Sequence, residues 1–332
     1  MTAPGTHMAA EIAEAPQVFA RAAAADHAAT LAPLDFSALR AIYTVARGSS
    51  DAAANILSYE IMRETGLPVT SLPPSVFSVG QGVRTGGALG LIVSQSGGSD
   101  DLVRSARGIR AGGGTALAVT NVAGSPVERA SDATLPIGAG EELAVPATKT
   151  VIGAIATGMA LLRALAPAYD APGAGARFAG LSPDHPRSET IRAALLRASH
   201  VFVVGRDTGY GAAQEIALKL KECCALHAEA YSASEVLHGP LQLATNPLLV
   251  LMLDTGHAPV AGSLDIAEDR LRAAGGEVIR LRPADIGAQG LTPAASAAAL
   301  LLMTYPVVRD TAIALGHDPD APATLSKVTV TT

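Results

Sequence analysis

The sequence has few charged side chains and almost no cysteine. Charged residues make up 16% of its 332 positions, and the two cysteines, Cys223 and Cys224, are adjacent. Adjacent cysteines in a helical pattern form neither a disulfide framework nor a Cys-x-x-Cys pair for redox chemistry or zinc. No His-Glu-x-x-His motif or regularly spaced His/Cys set occurs either. We therefore expect no metal site, and a reducing cytoplasm as the location.

Long apolar runs and blocks of like charge are missing as well. Val151 to Leu162, taken as the longest apolar segment, stops at Arg163 after 12 residues, which is too short to span a bilayer. The net charge of −6 is not concentrated in any block, which argues against nucleic acid or an anionic membrane as the partner. The start, MTAPGTHMAAEIAEAP, lacks the basic and apolar regions of a signal peptide, and its first residues are expected to be disordered.

Hydrophobic residues make up 49% of the chain, enough for a large core and two domains of ordinary size. After a helix at Met8 to Ala25, predicted strands alternate with helices, which indicates parallel βαβ units. The predicted elements that follow are strands at 42–45, 69–72, 89–93 and 115–120, and helices at 46–63, 100–111 and 146–165. Ala166 to Pro186 is rich in Ala, Gly and Pro and is predicted to be a linker.

The two halves of the chain resemble each other at an offset of 159 residues. Ile42 to Glu64 aligns with Val201 to Cys223, and Ile109 to Val119 resembles Leu271 to Leu281. We interpret this as a duplicated α/β domain.

The stretch Leu89 to Asp101 combines a buried-strand pattern with a polar loop and a helix start. Ser94, Gln95 and Ser96 offer polar side chains, two glycines allow a tight turn, and Ser99, Asp100 and Asp101 can cap the helix. A helix amino terminus with free N–H groups favours an anion, so this loop is a candidate phosphate cradle. The alternative is a polar turn that only caps its helix. No nucleotide-binding glycine motif occurs, and the second half has LDTGHAPV at the equivalent place.

A predicted helix from Tyr210 to Leu226 carries Glu215, Lys219 and Glu222 on one face. These residues are either an exposed ion-pair ladder or part of a site. The segment HAEAYSASEVLHGP follows at once, and its density of titratable groups suits proton transfer near neutral pH. The alternative is that its histidines are ordinary surface or capping residues. The titratable groups of that segment are His227, Glu229, Tyr231, Glu235 and His238.

Several motifs together resemble the isomerase half of glucosamine-6-phosphate synthase, a tandem pair of sugar isomerase (SIS) domains. They are ARGSS, SQSGGSDD, TNVAGSPVERASD, AVPATKT, EIALKLKE, HAEAYSASEVLHGP and DPDAPATLSKVTV. The resemblance implies two tandem, doubly wound parallel sheets of the flavodoxin-like or Rossmann-like type. We expect a tail and helix at 1–25, a first SIS domain at 26–168 and a second at 187–332.

The resemblance also implies roles for individual residues. The phosphate and sugar contacts of the family fall on Ser49, Ser50, Ser94, Gln95, Ser96 and Ser99, the last replacing a threonine. The carboxylate that moves a proton between C1 and C2 of the sugar falls on Glu222, with Glu215 and Lys219 supporting it. His238 matches the ring-opening histidine and Lys327 matches a lysine that meets the open-chain sugar. Leu237 departs from the lysine that is usual before that histidine.

The synthase carries a glutaminase domain ahead of this region, and this sequence has none. The resemblance therefore favours a SIS-type glucosamine-6-phosphate deaminase, forming fructose 6-phosphate and ammonia without a metal or organic cofactor. A deglycase of a sugar-phosphate amine adduct or another phosphosugar isomerase stays open, and so do the sugar epimer and N-substituent. A non-catalytic phosphosugar sensor is a further alternative. The family resemblance also implies a homodimer.

Overall fold

The computed structural model describes residues 2–327. They fold into two compact units. The amino-terminal unit comprises Gln17–Glu141 and Thr150–Ala176. The carboxyl-terminal unit comprises Glu142–Lys149, Arg177–Lys327 and the residues up to Pro16.

The amino-terminal unit is built on a five-stranded parallel sheet with strand order β2-β1-β3-β4-β5. The central strand β3 is buried along its whole length, as its apolar sequence predicts. The strands are β1 (Ala41–Val45), β2 (Val69–Ser71), β3 (Ala88–Ser94), β4 (Thr115–Thr120) and β5 (Ala133–Pro136). The helices in this part of the chain are α1 (Thr6–Ala24), α2 (Ala28–Leu31), α3 (Ser49–Thr65), α4 (Ser75–Ser78), α5 (Asp100–Ala111), α6 (Pro126–Ala130), α7 (Lys149–Leu165) and α8 (Ala171–Phe178).

The carboxyl-terminal unit contains a four-stranded parallel sheet with order β7-β6-β8-β9. Its core combines this sheet with apolar side chains of α11. The strands are β6 (Val201–Gly205), β7 (Ala228–Ser232), β8 (Leu249–Leu253) and β9 (Glu277–Leu281). The α-helices are α9 (Ser188–Arg197), α10 (Thr208–Cys224), α11 (Ala258–Ala273) and α12 (Pro293–Ala314), and short 3₁₀ helices lie at Glu235–Leu237, Pro240–Thr245 and Pro283–Ile286.

The α/β class with two parallel sheets is confirmed. The order β2-β1-β3-β4 corresponds to β7-β6-β8-β9, and α3 and α10 each have 17 residues and begin 159 positions apart. In both sheets the first strand in sequence lies beside the third, so a crossover occurs next to it. Ligands of such open sheets bind at the carboxyl ends of the strands near this crossover.

Two local expectations are wrong. The stretch Ala166 to Pro186 is not a plain linker, because it contains α8, where the Asp170 carboxylate accepts the Gly173 N–H at 2.8 Å. The opening residues are not disordered, since the Asp320 carboxylate accepts the backbone N–H groups of His7 and Met8 at 3.0 and 2.8 Å. These contacts join the start of the chain to residues more than 300 positions away, so local composition could not reveal them. The predicted domain bounds remain a prediction.

Val151 to Leu162 is not the longest apolar segment. Within the described residues, α12 is the one helix long and apolar enough by length and composition to cross a membrane. Its most apolar window is 72% buried inside the protein, as expected of a core helix.

Candidate active site

Helix α10 carries the charged residues that the sequence places on one face. Glu215 and Lys219 are fully buried, so the exposed ion-pair ladder is wrong. The Lys219 ammonium lies 3.5 Å from the Glu215 carboxylate and donates a hydrogen bond to the Glu222 carboxylate. A buried ammonium between two carboxylates is a paired charge, as burial requires.

Tyr305 of α12 completes this cluster, and sequence reasoning missed it. Its hydroxyl donates to Glu215 at 3.1 Å. Burial, followed by the charge of Glu215, raises the pKa of Tyr305, so the hydroxyl stays protonated. Burial alone would lower the pKa of Lys219, but the charges of Glu215 and Glu222 more than offset it and the pKa is raised. Lys219 therefore stays an ammonium and can hold Glu222.

Glu222 is the accessible member of the cluster. Its side chain is 23% exposed, whereas those of Glu215 and Lys219 are at 0%. A carboxylate that is fixed by a buried ammonium and still open to solvent is suited to accept and return a proton. The adjacent Cys223 is not a nucleophile candidate, because burial raises the pKa of its thiol to about 12.

Lys327 is the last described residue and also belongs to the carboxyl-terminal unit. Its ammonium lies 3.3 Å from the carboxylate of Glu142 and donates to the Ala144 carbonyl at 2.5 Å. Glu142 is buried and was not among the predicted site residues. It lies two residues before the start of the AVPATKT motif, and two adjacent glutamates in a charge-poor chain are the signal that could have singled it out.

His238 follows the 3₁₀ helix Glu235–Leu237 and is exposed. Its backbone N–H donates to the Glu235 carbonyl at 3.0 Å, and Gly239 follows with a φ of 129°. Within residues 2–327 its imidazole forms no hydrogen bond, so the contribution of His238 to the turn is through its backbone.

Three other titratable groups of this segment, His227, Glu229 and Tyr231, form a further cluster together with His200, and His227 Nε2 lies 3.6 Å from the Glu229 carboxylate. The rings of His227 and His200 are perpendicular to each other, with their Nδ1 atoms 3.2 Å apart. The Tyr231 hydroxyl donates to Glu229, and this bond, with burial, raises the pKa of Tyr231 to about 12. None of these hydrogen bonds involves Glu215, Lys219 or Glu222, although Tyr210 of α10 also contributes to the raised pKa of Tyr231.

The loop from Ser94 to Ser99 joins β3 to α5, as the sequence predicts. The Ser94 hydroxyl accepts the Gly97 N–H at 3.1 Å and the Ser96 hydroxyl accepts the Gly98 N–H at 3.3 Å. Both glycine N–H groups are thus occupied by hydroxyls of the loop, contrary to the open cradle expected from the sequence. Gly97 has a φ of 60°, and a Cβ atom there would collide with Ser125.

The first turn of α5 keeps donors available. Ser99 is the N-cap residue in extended conformation, but its hydroxyl makes no capping hydrogen bond, which corrects the expected cap. Among residues 2–327, no acceptor pairs with the N–H groups of Ser99 and Asp100. The Arg47 guanidinium, half exposed, is held 2.8 Å from the buried Asp101 carboxylate at this helix start. Free N–H groups and a nearby cation favour an anion.

Ser49 and Ser50 open α3, after the three-residue loop that follows β1, and both are half-buried. Because β1 and β3 are parallel neighbours, the loops that follow them lie at the same edge of the sheet. The structure thereby brings this serine pair to the edge that carries Ser94, Gln95, Ser96 and Ser99. No group of three or more potential metal ligands occurs within the described part of the chain.

The comparisons with known proteins agree with this architecture. The SIS domain family matches residues 36–164 and 194–281. The glutamine–fructose-6-phosphate aminotransferase of Leifsonia xyli subsp. xyli is 31% identical over 96% of this chain. A solved structure from Silicibacter pomeroyi, named as a phosphosugar isomerase, is 34% identical, with a TM-score of 0.81 over 95% of this chain and 100% of the other.

Two further findings concern the length of the relatives and the fold of a solved deaminase. The chain spans about half the length of the curated relatives it matches, namely 58% of the Leifsonia protein and 42% of that of Zymomonas mobilis. The glucosamine-6-phosphate deaminase of Thermotoga maritima has the same fold, with a TM-score of 0.77 over 98% of this chain and 100% of its own, at 19% identity.

Proposed function

Because the chain belongs to the SIS domain family, we propose that it converts an amino-sugar 6-phosphate, glucosamine 6-phosphate in the first instance, into fructose 6-phosphate and ammonia. The observation that carries the proposal is the α10 cluster, in which buried Lys219 holds the partly exposed carboxylate of Glu222. A phosphosugar class of substrate is supported by the Silicibacter structure, and fructose 6-phosphate by the name of the Leifsonia relative.

The proposed chemistry is a proton shift followed by hydrolysis. His238 helps open the sugar ring, giving an aldehyde at C1 and an amine at C2. Glu222 then removes the C2 proton and returns it to C1, while one proton of the amine passes to the C1 oxygen, so that the aldehyde becomes an alcohol and the C2 amine becomes an imine. Water adds to the imine, and ammonia leaves to give the ketone of fructose 6-phosphate. Lys327 is assigned to contact with the open-chain sugar.

The proposed phosphate site is the start of α5 with Ser94, Gln95, Ser96, Ser99, Ser49 and Ser50. Its unpaired N–H groups and the half-exposed Arg47 support an anion there. A homodimer and a cytoplasmic location complete the proposal.

The deciding experiment measures ammonia and ketose release from three substrates. They are glucosamine 6-phosphate, galactosamine 6-phosphate and the adduct of a sugar 6-phosphate with an amino acid. We expect ammonia and fructose 6-phosphate in equal amounts from the first, and none from glucosamine without a phosphate. If only the sugar-phosphate amine adduct is cleaved, with release of its amino acid, the result would favour a deglycase. Isomerisation only of sugars without an amine would favour another phosphosugar isomerase, and binding without turnover would favour a sensor.

A further inference from the structure

Glu142, which is not among the residues predicted from the sequence, contacts the predicted site residue Lys327. We propose that Glu142 is a positioning residue that fixes the Lys327 ammonium for contact with the open-chain sugar. This inference rests on the proposed function, since it assigns a partner to a lysine that the reaction uses. Glu142 is 4% exposed and lies 3.3 Å from the ammonium.

The contacts of Lys327 leave part of it available. A lysine ammonium has three N–H donors. The Ala144 carbonyl takes one at 2.5 Å, and the Glu142 carboxylate lies within reach of a second. The Lys327 side chain is 27% exposed, so the remaining donor can meet a sugar oxygen or nitrogen. Two protein contacts on one flexible side chain restrict it to a narrow range of positions, which is what a reacting group requires.

Glu142 is itself held firmly. Its Oε1 atom accepts the Thr148 N–H at 3.0 Å, while Oε2 faces Lys327. The attraction between the two charges is strengthened because the carboxylate is removed from water. The same carboxylate is close enough to Tyr305 to contribute to the raised pKa of that hydroxyl, after burial and Glu215. Glu142 therefore lies near the α10 cluster as well as near Lys327.

A second carboxyl, Glu11 of α1, supports the carbonyl that Lys327 uses. Its Oε1 atom accepts the Ala144 N–H at 3.2 Å and also the Leu143 N–H. Its Oε2 atom is buried and has no hydrogen-bond partner among residues 2–327, and burial raises the pKa of Glu11. Helix α1 thus helps to hold the peptide on which Lys327 is positioned.

The test compares Glu142→Gln with Glu14→Gln. Glutamine at 142 keeps the acceptor for the Thr148 N–H but removes the charge. Glu14 forms the matched control, because its carboxylate binds the buried ammonium of Lys149 at 2.7 Å in the same segment. We expect Glu142→Gln to lower kcat about 10-fold or more with less than about a 3-fold change in KM, since the phosphate site is intact. Glu14→Gln should leave both parameters unchanged.

A second readout does not depend on turnover. Trace acetylation at fixed pH, quantified by peptide mass spectrometry, should label Lys327 several-fold faster in Glu142→Gln, while Lys149 is unchanged. Unchanged labelling and kcat would overturn the proposal, as would faster labelling of both lysines with a lowered melting temperature, which indicates a structural role only. If the wild-type chain turns over no sugar phosphate, the proposed function fails, whereas the labelling contrast still decides whether Glu142 holds Lys327.

Discussion

The loops after β3 and β8 occupy equivalent places in the two sheets but treat anions differently. After β3, donors of the first turn of α5 remain unpaired, and Arg47, although paired with the buried Asp101 carboxylate, is half exposed beside them. After β8, the chain supplies an anion of its own, because the buried Asp254 carboxylate accepts from Arg280, Arg282 and the Gly256 N–H at 2.8–3.0 Å. The same topology can therefore present an anion site or fill it, and the loop sequence decides which.

The helices α3 and α10 differ in a comparable way. Positions 56, 60 and 63 of α3 correspond to 215, 219 and 222 of α10. In α3 the buried Glu60 carboxylate is satisfied by Arg63 and by the Tyr169 hydroxyl at 2.6 and 2.7 Å. In α10 the buried residue is the cation Lys219, which leaves a carboxylate, Glu222, partly exposed. Reversing the sign of the buried charge changes which group the helix offers to a substrate.

The largest expected effect distinguishes the role of α10 from that of α3. Glu222→Gln keeps shape and hydrogen bonding but removes the proposed base, so turnover of glucosamine 6-phosphate should fall by about 10²-fold or more. Glu60→Gln should lower the melting temperature while turnover per folded molecule is retained. Steady-state kinetics with a coupled ammonia assay measures both. Full turnover in Glu222→Gln would assign the proton transfer to another group.

The next effect concerns the loop after β8, where Asp254 pairs with Arg280 and Arg282. Asp254→Asn leaves Arg280 and Arg282 without their shared carboxylate, and we expect the free energy of unfolding to fall by about 2 kcal/mol. Burial alone would raise the pKa of Asp254, but its bonds to Arg282, Gly256 and Arg280 lower it below the ordinary 3.8. The stabilisation is therefore complete above pH 3.8 and is lost as the pH falls through the lowered value.

Urea unfolding at pH 7 and at pH 3 measures this pH dependence. The difference between wild type and Asp254→Asn should be largest at pH 7 and smaller at pH 3. A difference that grows on acidification would contradict a lowered pKa for Asp254. Phosphate binding should be the same in both proteins.

Much of the fold could be predicted because buried strands and helices have local patterns of apolar residues that reflect their burial. The apolar run at 89–93 indicates a buried strand, and the offset of 159 aligns β1 with β6 and α3 with α10. The environment of α10 could not be predicted, because a spacing of four residues suits an exposed ladder and a buried cluster equally. Glu215 is hydrogen-bonded to Tyr305, which is 90 positions away. The adjacent glutamates could have drawn attention to Glu142, but its partner Lys327 is 185 positions away and could not be predicted from local sequence.

Glycine substitutions should sharpen the contrast between the two loops. Gly97→Ala places a methyl group against Ser125 at a φ of 60°, so we expect the loop to shift and inorganic phosphate to bind about 10-fold more weakly. Gly256→Ala is the matched control, because φ is 74° but no atom lies within 4 Å of the added carbon. Calorimetric titration should find phosphate affinity unchanged in the control. If both variants bind phosphate equally weakly, the phosphate site does not lie at the β3–α5 loop.

The smallest expected effect tests the residues that precede α3 and α10. Gly48 and Asp207 are the N-cap residues, with nearly the same backbone angles, φ 55° and 57° and ψ −129° and −132°. Only glycine adopts this conformation without strain, which costs an ordinary residue about 1–3 kcal/mol. Asp207 offsets that cost because its carboxylate accepts the Thr208 N–H at 2.7 Å.

Asp207→Gly should thus change the free energy of unfolding by less than about 1 kcal/mol, since relieved strain and the lost cap oppose each other. Gly48→Ala, which gains strain without a cap, should be destabilised by more than that. Urea denaturation of both variants measures the contrast, and a larger loss in Asp207→Gly than in Gly48→Ala would show that the carboxylate, rather than the backbone, dominates at this position.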